Sequence, residues 1–330
     1  VSLPMDVSAR HVVGHAGDQN CGASCRSAET LDLSACSSMR EVASQFQGCT
    51  ALHTIILPKH LVVIGLNAFS ECTSLPCVDF SPCATLEVVY DHAFSKCAKL
   101  ACVDLRACEQ LRSIRKSAFR ECLALQTVAL PSGLKSLATG AFYECRSLAH
   151  VDFSRCTSLE ALDDHVFHKC SKLASVDLGT CVSLDRIGNS AFRACAALAI
   201  VVLPKGLKTV GAEAFSDCSS LVGVDCSRCV DLEVLGTDAF SQCSRLSSLD
   251  LSACRSLGTA CCATAAPNGC HVIRPEKSAL TEPQPTHYRA RPATLRGVNR
   301  RVSSTRAMPS TTATTVAKRA GRGGGPRSER

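Results

Sequence analysis

The chain has 330 residues, 24 cysteines, no Trp, 46% hydrophobic and 4% aromatic content, and a formal net charge of +7. No apolar run approaches the roughly 18 residues of a membrane-spanning helix, which excludes that class for the sequence given. The charge belongs to one end: residues 271 to 330 hold 13 Lys or Arg against 3 acidic residues, whereas the rest holds 23 against 26.

The first segment, 1–27, reads as a worn repeat. Met5-Asp6-Val7-Ser8 imitates the later V-D-L-S, Arg10 stands where a cysteine belongs, and Gly22 takes the place of a phenylalanine three before Cys25. The chain starts on Val1 inside this worn turn, as a fragment of a longer protein would.

Residues 28–257 carry a repeat. Ala-Phe, or Val-Phe and Gln-Phe, precedes a cysteine by three residues at Phe46, Phe69, Phe94, Phe119, Phe142, Phe167, Phe192, Phe215 and Phe240, with spacings of 23, 25, 25, 23, 25, 25, 23 and 25. Three turns make a cassette of 73 residues, which also separates Glu87, Glu160 and Glu233. A fixed period of this length means one supersecondary unit stacked many times. Long turns read L-x-x-V-D-L-S-x-C-x-x-L-x-x-I before A-F-x-x-C, as from Leu100 to Cys122. Short turns replace D-L-S-x-C by a Leu-Pro element at Leu57-Pro58, Leu130-Pro131 and Leu203-Pro204. Alternation over V-D-L predicts one short strand per turn, paired in parallel with its neighbours about 4.8 Å away. The A-F-x-x-C stretch lacks alternation and predicts a short helix or 3-10 turn across the coil.

L-x-x-V-x-L with a cysteine at its ninth position resembles the leucine-rich repeat strand and its asparagine/cysteine ladder. The A-F-x-x-C and Leu-Pro elements resemble the BspA-like leucine-rich repeat family, over roughly residues 28 to 257. The 25-residue turns with an added cysteine are similar to the cysteine-containing subtype. The resemblance implies an α/β solenoid, a leucine-rich repeat array with a parallel sheet on the concave face and short helical or 3-10 segments opposite.

Residues 258–275 read as a degenerate C-terminal cap, through Cys261, Cys262 and Cys270, with Val272-Ile273-Arg274-Pro275 as a last strand. Residues 276–330 are basic, rich in Pro, Ser, Thr and Gly, and poor in large apolar residues, which predicts a disordered tail.

Sixteen cysteines fall in two registers, after A-F and at the ninth strand position. They read as small buried packing thiols, with disulfides between neighbouring turns as the alternative that spacing permits. Cys226-x-x-Cys229 lacks a second C-x-x-C at zinc spacing, and Cys261, Cys262, Cys270 and His271 form only a loose cluster, so no metal site and no cofactor are assigned. His92 and His165 lie 73 residues apart without a nucleophile, and the chain has no phosphate loop, H-E-x-x-H or G-x-S-x-G, which points away from an enzyme.

The candidate partner-binding residues are the outward aspartates of V-D-L: Asp32, Asp79, Asp104, Asp152, Asp177, Asp225 and Asp250, interrupted by Ile56, Ala129 and Val202. Neighbouring carboxylates about 5 Å apart repel by roughly 1 kcal/mol in a water-like dielectric. They read either as an acidic surface for a basic partner or as a solvated face whose Asp bonds to Ser and Arg neighbours. The function read from the sequence is a non-catalytic, monomeric protein–protein interaction scaffold using its concave face. Two specialisations stand beside it. One is a surface or secreted adhesin, which the resemblance implies. The other is an intracellular adaptor whose basic tail contacts nucleic acid or anionic membrane. Ladder cysteines without a cysteine-bonded end cap favour a reducing, cytoplasmic compartment over the cell surface.

Overall fold

The structure is a computed structural model that describes residues 11–13, 27–258, 265–267 and 269–275. Most of the worn start, part of the 258–275 cap and the whole 276–330 tail therefore lie outside the described residues.

Each V-D-L segment forms a three-residue strand whose middle residue is buried. The strands run from Thr30–Asp32 and Thr54–Ile56 through Cys102–Asp104, Thr127–Ala129, His150–Asp152, Ser175–Asp177, Ile200–Val202 and Gly223–Asp225 to Ser248–Asp250. All pairings are parallel and in register, for example Asp104 beside Ala129 and Ala129 beside Asp152. The array is extended at both ends: His11–Val13 pairs with Thr30–Asp32, and His271–Ile273 pairs with Ser248–Asp250. The last of these is the strand that the sequence suggested. The first lies beyond the Met5–Ser8 imitation, which is not among the described residues.

The expectation of a single strand per turn is corrected. The L-x-x-I segment makes a second, two-residue strand in each turn, and nine of these form one continuous parallel sheet from Glu41–Val42 to Val234–Leu235. Its second residue is always buried, as with Ile64, Ile114 and Leu162.

The expectation of helical segments opposite the sheet is also corrected. The described A-F-x-x-C segments contain one 3-10 turn, Ser44–Phe46, and are otherwise turns. Residues two before and two after each phenylalanine sit in the left-handed region: Asn67 and Glu71, His92 and Lys96, Ser117 and Glu121, His165 and Lys169, and onward to Asp238 and Gln242. That conformation cannot propagate a right-handed helix. It turns alternate N–H groups towards the next coil instead. Asn67, Phe69 and Glu71 donate to Asp91, Ala93 and Ser95 carbonyls at 3.1, 2.7 and 2.8 Å. Ala68, Ser70 and Cys72 close local bonds to the residue three back. The third side of the coil is thus also hydrogen-bonded from turn to turn, without being a strand. The result is a parallel β-solenoid of about ten turns with almost no helix.

Inside it the nine phenylalanines stack as one column. Successive ring centroids lie 5.1 to 5.7 Å apart with interplanar angles of 18° or less. Phe80 and Phe153 pack edge-on against Phe94 and Phe167. The cysteine after each A-F donates its thiol to the carbonyl of the preceding turn's phenylalanine: Cys97 to Phe69 at 3.1 Å, Cys145 to Phe119 at 3.1 Å, Cys218 to Phe192 at 3.2 Å. A second column, Cys83, Cys108, Cys156, Cys181 and Cys229, makes longer contacts of 3.5 to 3.9 Å to backbone carbonyls one turn back. The twenty described cysteines carry thiols and no disulfide.

Candidate interaction surface

The seven aspartates all lie on the outward side of the first sheet, and each has a local task. The Oδ1 of Asp32, Asp79, Asp104, Asp152, Asp177, Asp225 and Asp250 accepts the backbone N–H two residues on, from Ser34, Ser81, Arg106, Ser154, Gly179, Ser227 and Ser252, at 2.8 to 3.1 Å. This is an Asx turn, in which a short carboxylate occupies the place of a backbone acceptor and ends the strand. Where the outward residue is instead Ile56, Ala129, Val202 or Ile273, the residue two on is Pro58, Pro131, Pro204 or Pro275, which has no N–H to bind. Aspartate and proline are two solutions to the same unpaired donor.

Bonds donated to the carboxylates hold their pKa values down. The Arg106 side chain does so for Asp104, and the Ser154, Ser227 and Ser252 side chains do so for Asp152, Asp225 and Asp250. Asp104 and Arg106 form an exposed ion pair of 2.6 Å.

The aspartates also mark where the first sheet lapses. Three-residue ladders join strands in which an aspartate neighbours an apolar residue, as in Asp177–Val202–Asp225. The ladder stops between Asp152 and Ser175 and between Asp225 and Ser248, and Asp79 and Asp104 are joined only by a bridge at Cys77 and Cys102. Like charges opposed across a ladder destabilise it. The remaining lapse, between Ile56 and Cys77, has another cause. At the position before the strand, Ala101, Gln126, Ala149 and Ala199 each donate a backbone bond to the preceding turn. Pro76 occupies that position and cannot.

A different row carries the recognition chemistry that sequence reasoning missed. The residue following each phenylalanine points outward on the third side, and in four successive turns it is Arg120, Tyr143, His168 and Arg193. The Arg120 guanidinium lies 5.1 Å from the Tyr143 ring centre, and Tyr143 stacks on His168 at 5.0 Å with planes 4° apart. Lys169 covers Tyr143 at 5.8 Å, and Arg193 pairs with Asp217 at 3.1 Å and with Glu213. Glu144 beneath takes Lys169 and Arg146, both at 2.8 Å, and those bonds hold its carboxyl at about 2. His168 is driven down to about 4, by burial first and then by His165, Lys169 and Arg193. Its Nδ1 is buried without a hydrogen-bond partner. An open depression of about 270 Å³ lies here, walled by Arg120, Thr139, Tyr143, His165 and His168. The signal was present in the sequence, as the residue after A-F read down the repeat.

Among the described residues no group of three or more His, Cys, Asp or Glu is placed to hold a metal. Cys226 and Cys229 are both buried. Burial pushes the thiols of Cys83, Cys97, Cys108, Cys156, Cys181 and Cys195 up to about 12, far from nucleophilic use. Two cysteines differ: Cys77 and Cys102 are exposed, at the same position of adjacent turns.

These features define a repeat solenoid whose chemistry lies in outward rows of side chains. The family profile described as BspA type leucine rich repeat region, in 6 copies, matches residues 41–174, 89–221 and 160–268. The chain belongs to that family. Among solved structures it is similar to the T. pallidum leucine-rich repeat protein TpLRR, with 29% identity over 63% of this chain and 79% of that chain and a TM-score of 0.43. A Bacteroides ovatus leucine-rich repeat protein matches with 22% identity over 80% and 87%, TM-score 0.34. A leucine rich cell surface protein from Faecalibacterium prausnitzii matches with 19% identity over 73% and 84%, TM-score 0.45. No curated protein matches the chain. No helix among the described residues is long and apolar enough to cross a membrane.

Proposed function

We propose that the protein is a non-catalytic scaffold that holds a protein partner on the outward rows of its solenoid, with Arg120, Tyr143, His168 and Arg193 as the anchor. The observation that carries this reading is the stacked, half-buried Arg–Tyr–His–Arg row beside an open depression. Tyr and Arg dominate interface energies, and side chains already fixed by stacking lose little freedom on binding. The aspartate row has a lesser part, because each Oδ1 is committed to its turn. The pairs Asp79 and Asp104, Asp152 and Asp177, and Asp225 and Asp250 concentrate negative charge that a basic segment of the partner would meet.

The test is a selection of displayed random peptides on the folded full chain, followed by affinities of the enriched peptides. Tyr143→Ala and His168→Ala should each weaken them about tenfold or more, the scale of an interface anchor. Asp152→Asn with Asp177→Asn should give a smaller loss that shrinks as salt rises. Enriched peptides indifferent to Tyr143→Ala and His168→Ala would overturn the assignment of the anchor.

A further inference from the structure

Sixteen of the cysteines line the two interior columns, but Cys77 and Cys102 do not belong to either. Both are exposed, both precede the V-D of their strands, and the structure pairs them directly across one parallel bridge. In-register residues of adjacent parallel strands lie about 4.8 Å apart on the same face. That falls within the roughly 4.4 to 6.8 Å between Cα atoms that a disulfide spans. Burial, then Cys77 and then Asp104, raise the Cys102 pKa, which places the two thiols within electrostatic reach of each other. The position is also the weakest in the first sheet. Pro76 removes the bond to the turn before, and the facing aspartates Asp79 and Asp104 leave Cys77 and Cys102 as the sole bridge to the turn after.

We propose that Cys77 and Cys102 form a surface dithiol that undergoes exchange with low-molecular-weight disulfides and closes into an intramolecular bond. One protein thiolate attacks a sulfur of the small disulfide and expels one small thiolate, which leaves a mixed disulfide. The second protein thiolate attacks the protein sulfur of that mixed disulfide and expels the other small thiolate. Two electrons pass from the two protein thiols to the small disulfide, and the two protons end on the two small thiols released. The bond ties the two turns together where the backbone ladder is reduced to one bridge. The ladder cysteines, buried and donating to carbonyls, stay outside this chemistry.

The experiment treats the native full chain with oxidised glutathione, blocks remaining thiols and maps tryptic peptides without reduction. Peptide 100–106 contains Cys102 as its sole cysteine, and its partner peptide spans 60–96. Linkage of these two peptides through Cys77, with a loss of two hydrogens, is the expected result. Cys77→Ser and Cys102→Ser, both changes at exposed positions, should instead each retain one glutathione on the surviving partner. Dibromobimane, which bridges close thiols, should crosslink the untreated protein at the same pair. The proposal is overturned by stable glutathione adducts on both cysteines of the unaltered chain, by linkage between two molecules, by a bond to Cys72 or Cys83, or by no reaction at either cysteine.

Discussion

At the scale of single residues, the aspartates are turn-closing groups before they are anything else. Asp152→Ala should orphan the Ser154 N–H and cost about 1 kcal/mol, the net worth of one hydrogen bond. Asp152→Asn keeps an acceptor at Oδ1 and removes the repulsion from Asp177, so its stability should be unchanged or slightly higher. Urea midpoints of the three proteins check this; equal losses for Ala and Asn would remove the Asx turn from the account. Half of this role was legible in the sequence, because proline replaces aspartate's function at the same offset in every short turn. Reading only the outward residue, and not the residue two on, made the row look like a binding stripe alone.

His168 gives a second residue-scale expectation. Its folded pKa of about 4 lies below the roughly 6.5 of an unfolded chain, so between those values the unfolded state binds more protons. Stability from the neutral imidazole is complete above about pH 6.5 and is lost as pH falls towards 4. Thermal midpoints measured from pH 7 to 4.5 should therefore fall less steeply for His168→Phe, which keeps an aromatic ring against Tyr143. Parallel curves would show that His168 titrates normally.

At the scale of elements, the phenylalanine column is the main cohesive device. Truncating a buried Phe to Ala typically costs 3–5 kcal/mol, about. Phe142→Ala and Phe167→Ala each open a gap between two stacked rings, whereas Phe46→Ala removes a ring with a single described stacking neighbour, Phe69. The interior variants should lose more thermal stability than Phe46→Ala, and equal losses would contradict a linear stack. The column was readable from period alone. The second strand was not, because two residues are too short to show alternation. The third wall was misread as helix because left-handed backbone at His92, Lys96 or Glu121 leaves no mark in composition: these are neither Gly nor Asn.

At the scale of the whole molecule, stability is a sum over neighbouring turns rather than a single core. The cassette of 73 residues carries its consequences through the structure, since the aspartate pairs and the lapses of the first sheet recur with it. The Arg–Tyr–His–Arg row does not follow the cassette. Its equivalents in earlier turns are Ser70 and Ser95, so duplication does not account for it. The period shows where outward rows run; which row gathers stacked rings becomes visible only when side chains are placed.

The central claim is that all three sides of the coil are bonded from turn to turn. Residue-resolved hydrogen exchange on the native protein tests it most directly. The account expects strong protection of the Phe94, Phe119, Phe142, Phe167 and Phe192 amides, each bonded to the next turn, with protection highest in the middle of the array and declining towards both ends. Protection of the helical kind, from bonds to the residue four back and independent of position along the array, would contradict it.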